Sequence, residues 1–238
     1  MAPAEEAAGF KASAEIEPVS SFVWRAIPQG KRFATQGTAT IGYGGLSGGV
    51  LGNYSTENDR TKNTLSEVDY FVSYEVNYEN WVFEPGYTYY TLPNTIWGTF
   101  SEVGGRVSYK MNPFKVYTSH YVSFGSSAVQ GGYYGDVGVG YETEFMPKWK
   151  FESTVSLGFS SPMFNNFNYG PASKIWALDG VVLEMQAPYS VTENFYLKPH
   201  VLLTDIITNT LRSNLATGRG GVNRPANAVF GLAVGYKF

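Results

Sequence analysis

From Ala228 to Phe238 the chain reads AVFGLAVGYKF, a strict alternation. Phe230, Leu232, Val234, Tyr236 and Phe238 share one parity; Val229, Gly231, Ala233, Gly235 and Lys237 take the other. Period two sets these on opposite faces of a strand, one face greasy and one small or polar. The pattern recurs upstream. In 65–78 one face is Val68, Tyr70, Val72, Tyr74, Val76 and Tyr78, against Glu67, Asp69, Phe71, Ser73, Glu75 and Asn77. In 149–160, Trp149, Phe151, Val155, Leu157 and Phe159 oppose Lys150, Glu152, Thr154 and Ser156. In 10–26, Phe10, Ala12, Ala14, Ile16, Phe22 and Trp24 oppose Lys11, Ser13, Glu15, Glu17, Ser21 and Arg25.

Alternation bounded by turn residues predicts twelve strands near 10–26, 33–43, 46–56, 65–78, 81–92, 100–111, 114–125, 132–145, 149–160, 174–187, 194–207 and 225–238. Strand 174–187 needs an extra residue near Asp179-Gly180 to keep Trp176, Leu178, Val181 and Leu183 on one side. Strand 114–125 has aromatics on both faces, with His120 among them. Connections alternate between short (Gly44-Gly45, Glu79-Asn80, Asn112-Pro113, 146–148 and about 188–193) and long (27–32, 57–64, 93–99, 126–131, 161–173 and 208–224). Long strands with short turns at one rim and longer loops at the other predict an all-β fold, a single antiparallel transmembrane β-barrel of about 12 strands. An even count puts both termini on the short-turn side, the periplasm. Residues 1–9 are expected to be a flexible mature N-terminus and 10–238 the barrel.

Composition agrees. Aromatics are 16% and charged residues only 16% of the 238, with 27 glycines, 18 Tyr and 16 Phe; soluble domains carry roughly 25% charge. Mean hydropathy is −0.18, and no apolar run approaches the ~20 residues of a spanning helix. Alternation hides the apolar half of a barrel strand from window averages. The net charge of −3 and the lack of a basic stripe argue against nucleic acid. No cysteine is present, so thiolate metal sites are excluded. Met1-Ala2-Pro3-Ala4-Glu5-Glu6 reads as an initiator Met before a mature start from which an export signal was removed; a cytosolic protein with a loose N-terminus is the other reading.

Aromatics gather at both ends of the predicted strands. Tyr43, Tyr78, Trp81, Phe114, Trp149 and Phe238 flank the short turns, while Phe22, Trp24, Tyr54, Phe124 and Tyr133 approach the long loops. Two such girdles suit the two membrane interfaces. Phe238 then closes the barrel, and its position resembles the assembly signal of bacterial outer-membrane proteins.

The polar parity defines the candidate site. Inward acids are Glu15, Glu17, Glu67, Asp69, Glu75, Glu84, Glu102, Asp136, Glu142, Glu144, Glu152, Asp179 and Glu184; inward bases are Lys11, Arg25, Arg106, Lys110, Lys115, Lys150, Lys198 and Lys237, with His200 beside them. Acids outnumber bases. One reading is a bacterial outer-membrane channel for passive diffusion of small polar solutes with a mild cation preference. The other is a lumen filled by ion pairs, in a structural or partner-binding barrel that conducts nothing. No constellation supports catalysis. Ser119 precedes His120 and Ser123 follows at three residues, neither giving His-x-Ser on one face, and His200 has no serine two residues away. Two distant histidines make a poor metal site, and no cofactor is expected. The glycines of TGRGGVN (217–223) lack the strand-to-helix context of a phosphate loop. Expected partners are membrane lipid and lipopolysaccharide, whose phosphates suit Arg212, Arg219 and Arg224 in the last long loop. Loop 163–169, MFNNFNY, either binds sugars or a partner, or folds over the barrel mouth.

The segment SSFVWRAIPQ (20–29), followed by TQG (35–37), resembles the Gcw-type conserved hypothetical outer-membrane proteins of Gram-negative bacteria, with Phe22, Val23, Trp24, Arg25, Ile27, Gln29, Gln36 and Gly37 matching. SEVDYF (66–71), YTYYTLP (87–93) and SEVGG (101–105) are similar to that family's later strands. Ala26 stands where the pattern has glycine. The resemblance covers roughly the first half, implies an outer-membrane location and lends no activity. One further expectation concerns the last strand. The small inward Gly231, Ala233 and Gly235 leave space, to be filled by water or, from across the barrel, by Tyr90, Phe71 or Arg106.

Overall fold

The computed structural model describes residues 9–30, 32–57, 62–95, 97–215 and 224–238. Twelve strands run up and down in chain order: β1 Phe10–Val19, β2 Ala34–Tyr43, β3 Leu46–Glu57, β4 Lys62–Tyr74, β5 Trp81–Thr91, β6 Phe100–Met111, β7 Phe114–Phe124, β8 Tyr133–Met146, β9 Trp149–Ser160, β10 Ala177–Gln186, β11 Phe195–Ile206 and β12 Ala226–Lys237. After short breaks β4 resumes as Val76–Tyr78 and β10 as Tyr189–Ser190, so the last short turn begins beyond Ser190. Every neighbouring pair is antiparallel. β12 pairs back onto β1, with Ala14 against Tyr236 and Ile16 against Val234, and the sheet closes without an edge. Phe10 and Lys237 lie at the short-turn rim.

The two faces are inverted relative to a soluble protein. Phe10, Ile41, Tyr70 and Phe230 are exposed outside, whereas Asn53, Glu67, Glu102 and Ser119 are buried inside. Such an outer surface is stable only against lipid. The outward parity of β7 is the even one, so His120 faces outward. It shares hydrogen bonds with Thr118 (3.0 Å) and Tyr133 (2.6 Å) that satisfy its ring. The expected bulge at Asp179-Gly180 is present, as a register shift between β9 and β10. A second shift, at Ser66 opposite Asn53-Tyr54, was not signalled by the sequence; there Asn53 Nδ2 bonds both Ser55 and Ser66 inside the wall.

The first strand departs from expectation. It stops at Val19 rather than running to residue 26. Ser20 holds the exit, its N–H bonding Phe230 O (2.9 Å) and its Oγ accepting from Phe230 N (3.0 Å). The chain then enters the barrel as a small hairpin, Val23–Trp24 paired with Ile27–Pro28. Its two-residue turn, Arg25-Ala26, has φ of 50° and 65°, a left-handed pair that normally favours Asn-Gly. Phe22 and Trp24 therefore belong to an internal core and not to an aromatic girdle. The residues of MFNNFNY likewise form a helix, α1 (Pro162–Tyr169), folded over the mouth. Ser161 caps it, Pro162 starts it, and Gly170 ends it at φ 93°. A second helix, α2, spans Asn209–Asn214.

Three apolar clusters close around the hairpin: Ala26, Ile27, Tyr134, Phe164 and Tyr169 with Ile206 and Leu211; Tyr90, Leu92, Phe100, Val129 and Phe167; and Val19, Phe22, Ala34 and Val229. Trp24 packs against all three. Phe100 on β6 and Val229 on β12 stand six strands apart, on opposite walls. The hairpin thus spans the long-loop mouth.

Candidate functional site

Beneath the hairpin the interior turns polar. Arg25, at the hairpin tip, places its guanidinium 4.4 Å from the ring centroids of Trp24 and Tyr134 and 4.9 Å from that of Tyr121. It forks onto Glu102 of β6 at 2.9 and 2.7 Å. Glu102 also accepts from Tyr90 Oη (3.0 Å) and Ser123 Oγ (2.9 Å). A planar guanidinium suits this double task of bidentate pairing and stacking. Above it, the Tyr169 hydroxyl donates to the Asp179 carboxylate. Burial, and then that carboxylate, push the Tyr169 phenol well above its ordinary pKa.

On the opposite wall, Glu15 and Glu17 of β1 meet residues of β11. Lys198 Nζ reaches Glu15 at 3.0 Å, Tyr196 Oη reaches Glu15 at 2.8 Å, and His200 Nδ1 donates to Glu17 at 2.6 Å. These contacts leap over β12, which lies between β1 and β11. They are possible because the inward residues of β12 are Gly231, Ala233 and Gly235. A β-carbon at Gly231 would strike the His200 ring, and one at Gly235 the Tyr196 ring. Gly231 and Gly235 are therefore covered by rings on the adjacent strand, and not by Tyr90, Phe71 or Arg106 from across. Phe71 covers Gly49 of β3 instead.

Two connected cavities occupy much of the remaining lumen, with a smaller one of about 310 Å³ beside Glu84, Arg106 and Tyr121. The inner one, about 500 Å³, lies under the hairpin and is bounded by Arg25, Tyr134 and Asp136 among others. The outer one, about 660 Å³, reaches the Asn112-Pro113 turn at the short-turn rim. They meet at Arg106, Thr154, Glu184 and Gln186. Together they make a polar cup, open at one rim and floored by the hairpin.

The residues expected inside are distributed as follows. Arg25–Glu102, Glu15–Lys198, Glu17–His200 and Glu142–Lys150 (3.4 Å) form pairs. Glu152 accepts from Gln186. Arg106, Lys110, Glu142, Glu144 and Glu184 line the outer cavity. Glu67 and Asp69 are buried in the wall of β4. Glu84 lies on the inward parity of β5, and Glu75 sits exposed at the break after β4, bonding Asn77. In the last long loop Arg212 bonds Asp205 (2.6 Å), and Arg219 lies outside the described residues. Sequence reasoning missed Trp24 as the centre of the floor and Tyr117, Tyr121 and Tyr196 as interior groups. For the tyrosines of β7 the signal was the odd parity they share with Ser119 and Ser123.

A closed antiparallel barrel with an apolar exterior and a polar, partly filled lumen defines the class of outer-membrane-type β-barrels. No protein-family model matches the chain, and no curated protein matches it significantly in sequence. Among solved structures it is similar to the NanC porin, at 13% identity and a TM-score of 0.62 over 94% of this chain and 100% of that one. It is also similar to the KdgM porin (11%, 0.57, 95% and 99%) and to an outer membrane channel from Pseudomonas putida F1 (9%, 0.57, 97% and 96%). At these identities the likeness is one of fold.

Proposed function

We propose that this protein is a bacterial outer-membrane channel for passive diffusion of small polar solutes, with the 20–30 hairpin as the barrier on its path. The observation that carries the reading is the continuous polar cup along the barrel axis, in a fold shared with porins and channels. In this reading the short-turn rim and both termini face the periplasm, and lipid and lipopolysaccharide surround the barrel. A mild cation preference is part of the proposal, supported by the acidic surplus on the inward parity. Kinship with the Gcw-type proteins belongs to it too; the left-handed backbone at Ala26 (φ 65°) suits the glycine of that pattern.

Single-channel recording in planar bilayers across a salt gradient tests the reading. Discrete openings with a cation-selective reversal potential support it; anion selectivity removes the preference, and silence removes the channel. The second reading, a non-conducting barrel, is favoured by the fill of the mouth, where Phe164, Tyr169 and Ile27 are fully buried.

A further inference from the structure

Of the two histidines, His200 faces the lumen and His120 faces lipid. An ionisable side chain on the lipid side is costly and marks a site of function. Sequence spacing offers His120 only serines, but Ser119 and Ser123 point into the barrel, where they accept from Arg106 and donate to Glu102. The hydroxyl on its own face is that of Thr118, two residues back on β7, with Oγ1 3.0 Å from His120 Nε2. The other ring nitrogen, Nδ1, lies 2.6 Å from Tyr133 Oη of β8. Both direct cross-strand partners of His120 are glycines, Gly105 and Gly135, and the ring stays exposed. A β-carbon at Gly135 would strike the Phe159 ring and the Tyr133 hydroxyl, so this glycine lets the phenol reach Nδ1. Aromatic rings wall the site: Tyr133 and Phe159 lie 6.1 Å from the imidazole, and Trp176 lies 6.0 Å beyond Tyr133, just before β10. Trp and Tyr collect where lipid chains meet headgroups, which is also the level of lipid ester bonds.

We propose that Thr118, His120 and Tyr133 form a lipid-facing acyl-hydrolase site whose substrate is the fatty-acid ester of a membrane lipid. A nucleophile, a base within hydrogen-bond reach and a third group holding the base are the parts that acyl transfer needs. With Nδ1–H donated to Tyr133 Oη, Nε2 carries the lone pair that faces Thr118. The Thr118 hydroxyl has one proton and two acceptors at 3.0 Å, Nε2 and Asp136 O. Rotation about one bond takes that proton from the carbonyl to the base. The oxygen then attacks the ester carbonyl while its proton passes to Nε2. The bond from the acyl carbon to the lipid's alcohol oxygen breaks, and that oxygen leaves with the proton. A water from the interface attacks the threonyl ester and gives its proton to Nε2; the fatty acid leaves as Thr118 Oγ1 takes the proton back. Ester and water are consumed, and alcohol and fatty acid are formed. Tyr133 is a positioning residue throughout. The backbone N–H groups of β7 and its neighbours belong to the sheet ladder, so the acceleration expected is that of general base catalysis, about 10²–10⁴-fold.

The site goes beyond the channel reading and needs no conduction. Fatty-acid release by the full-length barrel in mixed micelles, from phosphatidylethanolamine and from purified lipid A, tests it. Release from the first assigns glycerol esters, and release from the second the acyl esters of a phosphorylated sugar. Thr118→Val and His120→Phe are each expected to lower release at least about a hundredfold, with heat-modifiable gel mobility retained as the sign of a folded barrel. Thr118→Ser is expected to keep it. Tyr133→Phe is expected to lower kcat about tenfold with KM unchanged, the worth of one hydrogen bond that holds the base; a change in KM alone would overturn its positioning role. A long-chain alkyl fluorophosphonate is expected to leave its mass on Thr118. No release above barrel-free micelles from either lipid, or unchanged release by folded His120→Phe or Thr118→Val, would overturn the assignment. Ester cleavage by a barrel silent in bilayers would end the channel reading and leave this one standing; conductance without cleavage would do the opposite.

Discussion

Replacing Arg25 with alanine tests whether the hairpin is the barrier. The Glu102 side chain is 2% exposed and accepts four hydrogen bonds, two of them from Arg25. In Arg25→Ala those two vanish, and the carboxylate stays in the wall with only Tyr90 and Ser123. Removing one partner of a buried ion pair costs about 3–5 kcal/mol. Arg25 lies outside the twelve strands, so the cost falls on docking of the hairpin and not on the sheet ladder. The ratio of docked to undocked hairpin should then drop by roughly two to four orders of magnitude. Planar-bilayer recording should show a large rise in open probability, and limited proteolysis should cut within 20–33 where the wild type resists. The double variant Arg25→Ala with Glu102→Gln should recover part of the docking, because no uncompensated charge remains buried. Wild-type conductance and protease resistance in Arg25→Ala would refute the reasoning. So would loss of the heat-modifiable folded form, which would mean that the pair supports the barrel itself.

Ala233→Trp should push Lys198 and Tyr196 off Glu15 and lower the temperature at which the barrel loses its fast gel mobility, a cost of about 1–3 kcal/mol for overpacking; an unchanged transition would show that β12 tolerates bulk. Deleting Phe238, which is 76% exposed at the rim with its ring 5.0 Å from that of Tyr236, should reduce insertion into lipid vesicles without changing the lumen, and normal insertion yield would remove its role in assembly. Tyr169→Phe leaves the buried Asp179 carboxylate short of a donor, at about 1–3 kcal/mol, and should expose 161–175 to protease before the barrel unfolds; simultaneous loss of both would contradict a locally docked α1.

Much of the wall was legible in the chain. Each transmembrane strand needs one face for lipid and one for the lumen, so period two persists over long spans, and Val68, Tyr70 and Val72 could be placed outside from their parity with Tyr74. The bulge at Asp179-Gly180 was legible for the same reason, since only an extra residue keeps Trp176 and Val181 on one face. The stretch from Ser20 to Trp24 was not. Alternating apolar residues look the same whether they face lipid or an internal core, and the turn at Arg25-Ala26 carries neither Asn nor Gly to announce itself.

Sequence alone determined the barrel, its strand number and the direction of nearly every side chain in the wall, because those follow from local alternation and turn spacing. Tertiary structure alone decided which charges neutralise one another. Glu15 finds Lys198 on a strand that is not its neighbour, over the glycines of β12, while Arg106 ignores Glu84 directly beside it. Parity tells which way a residue points. Closure of the sheet and the shape of what fills it determine what that residue meets.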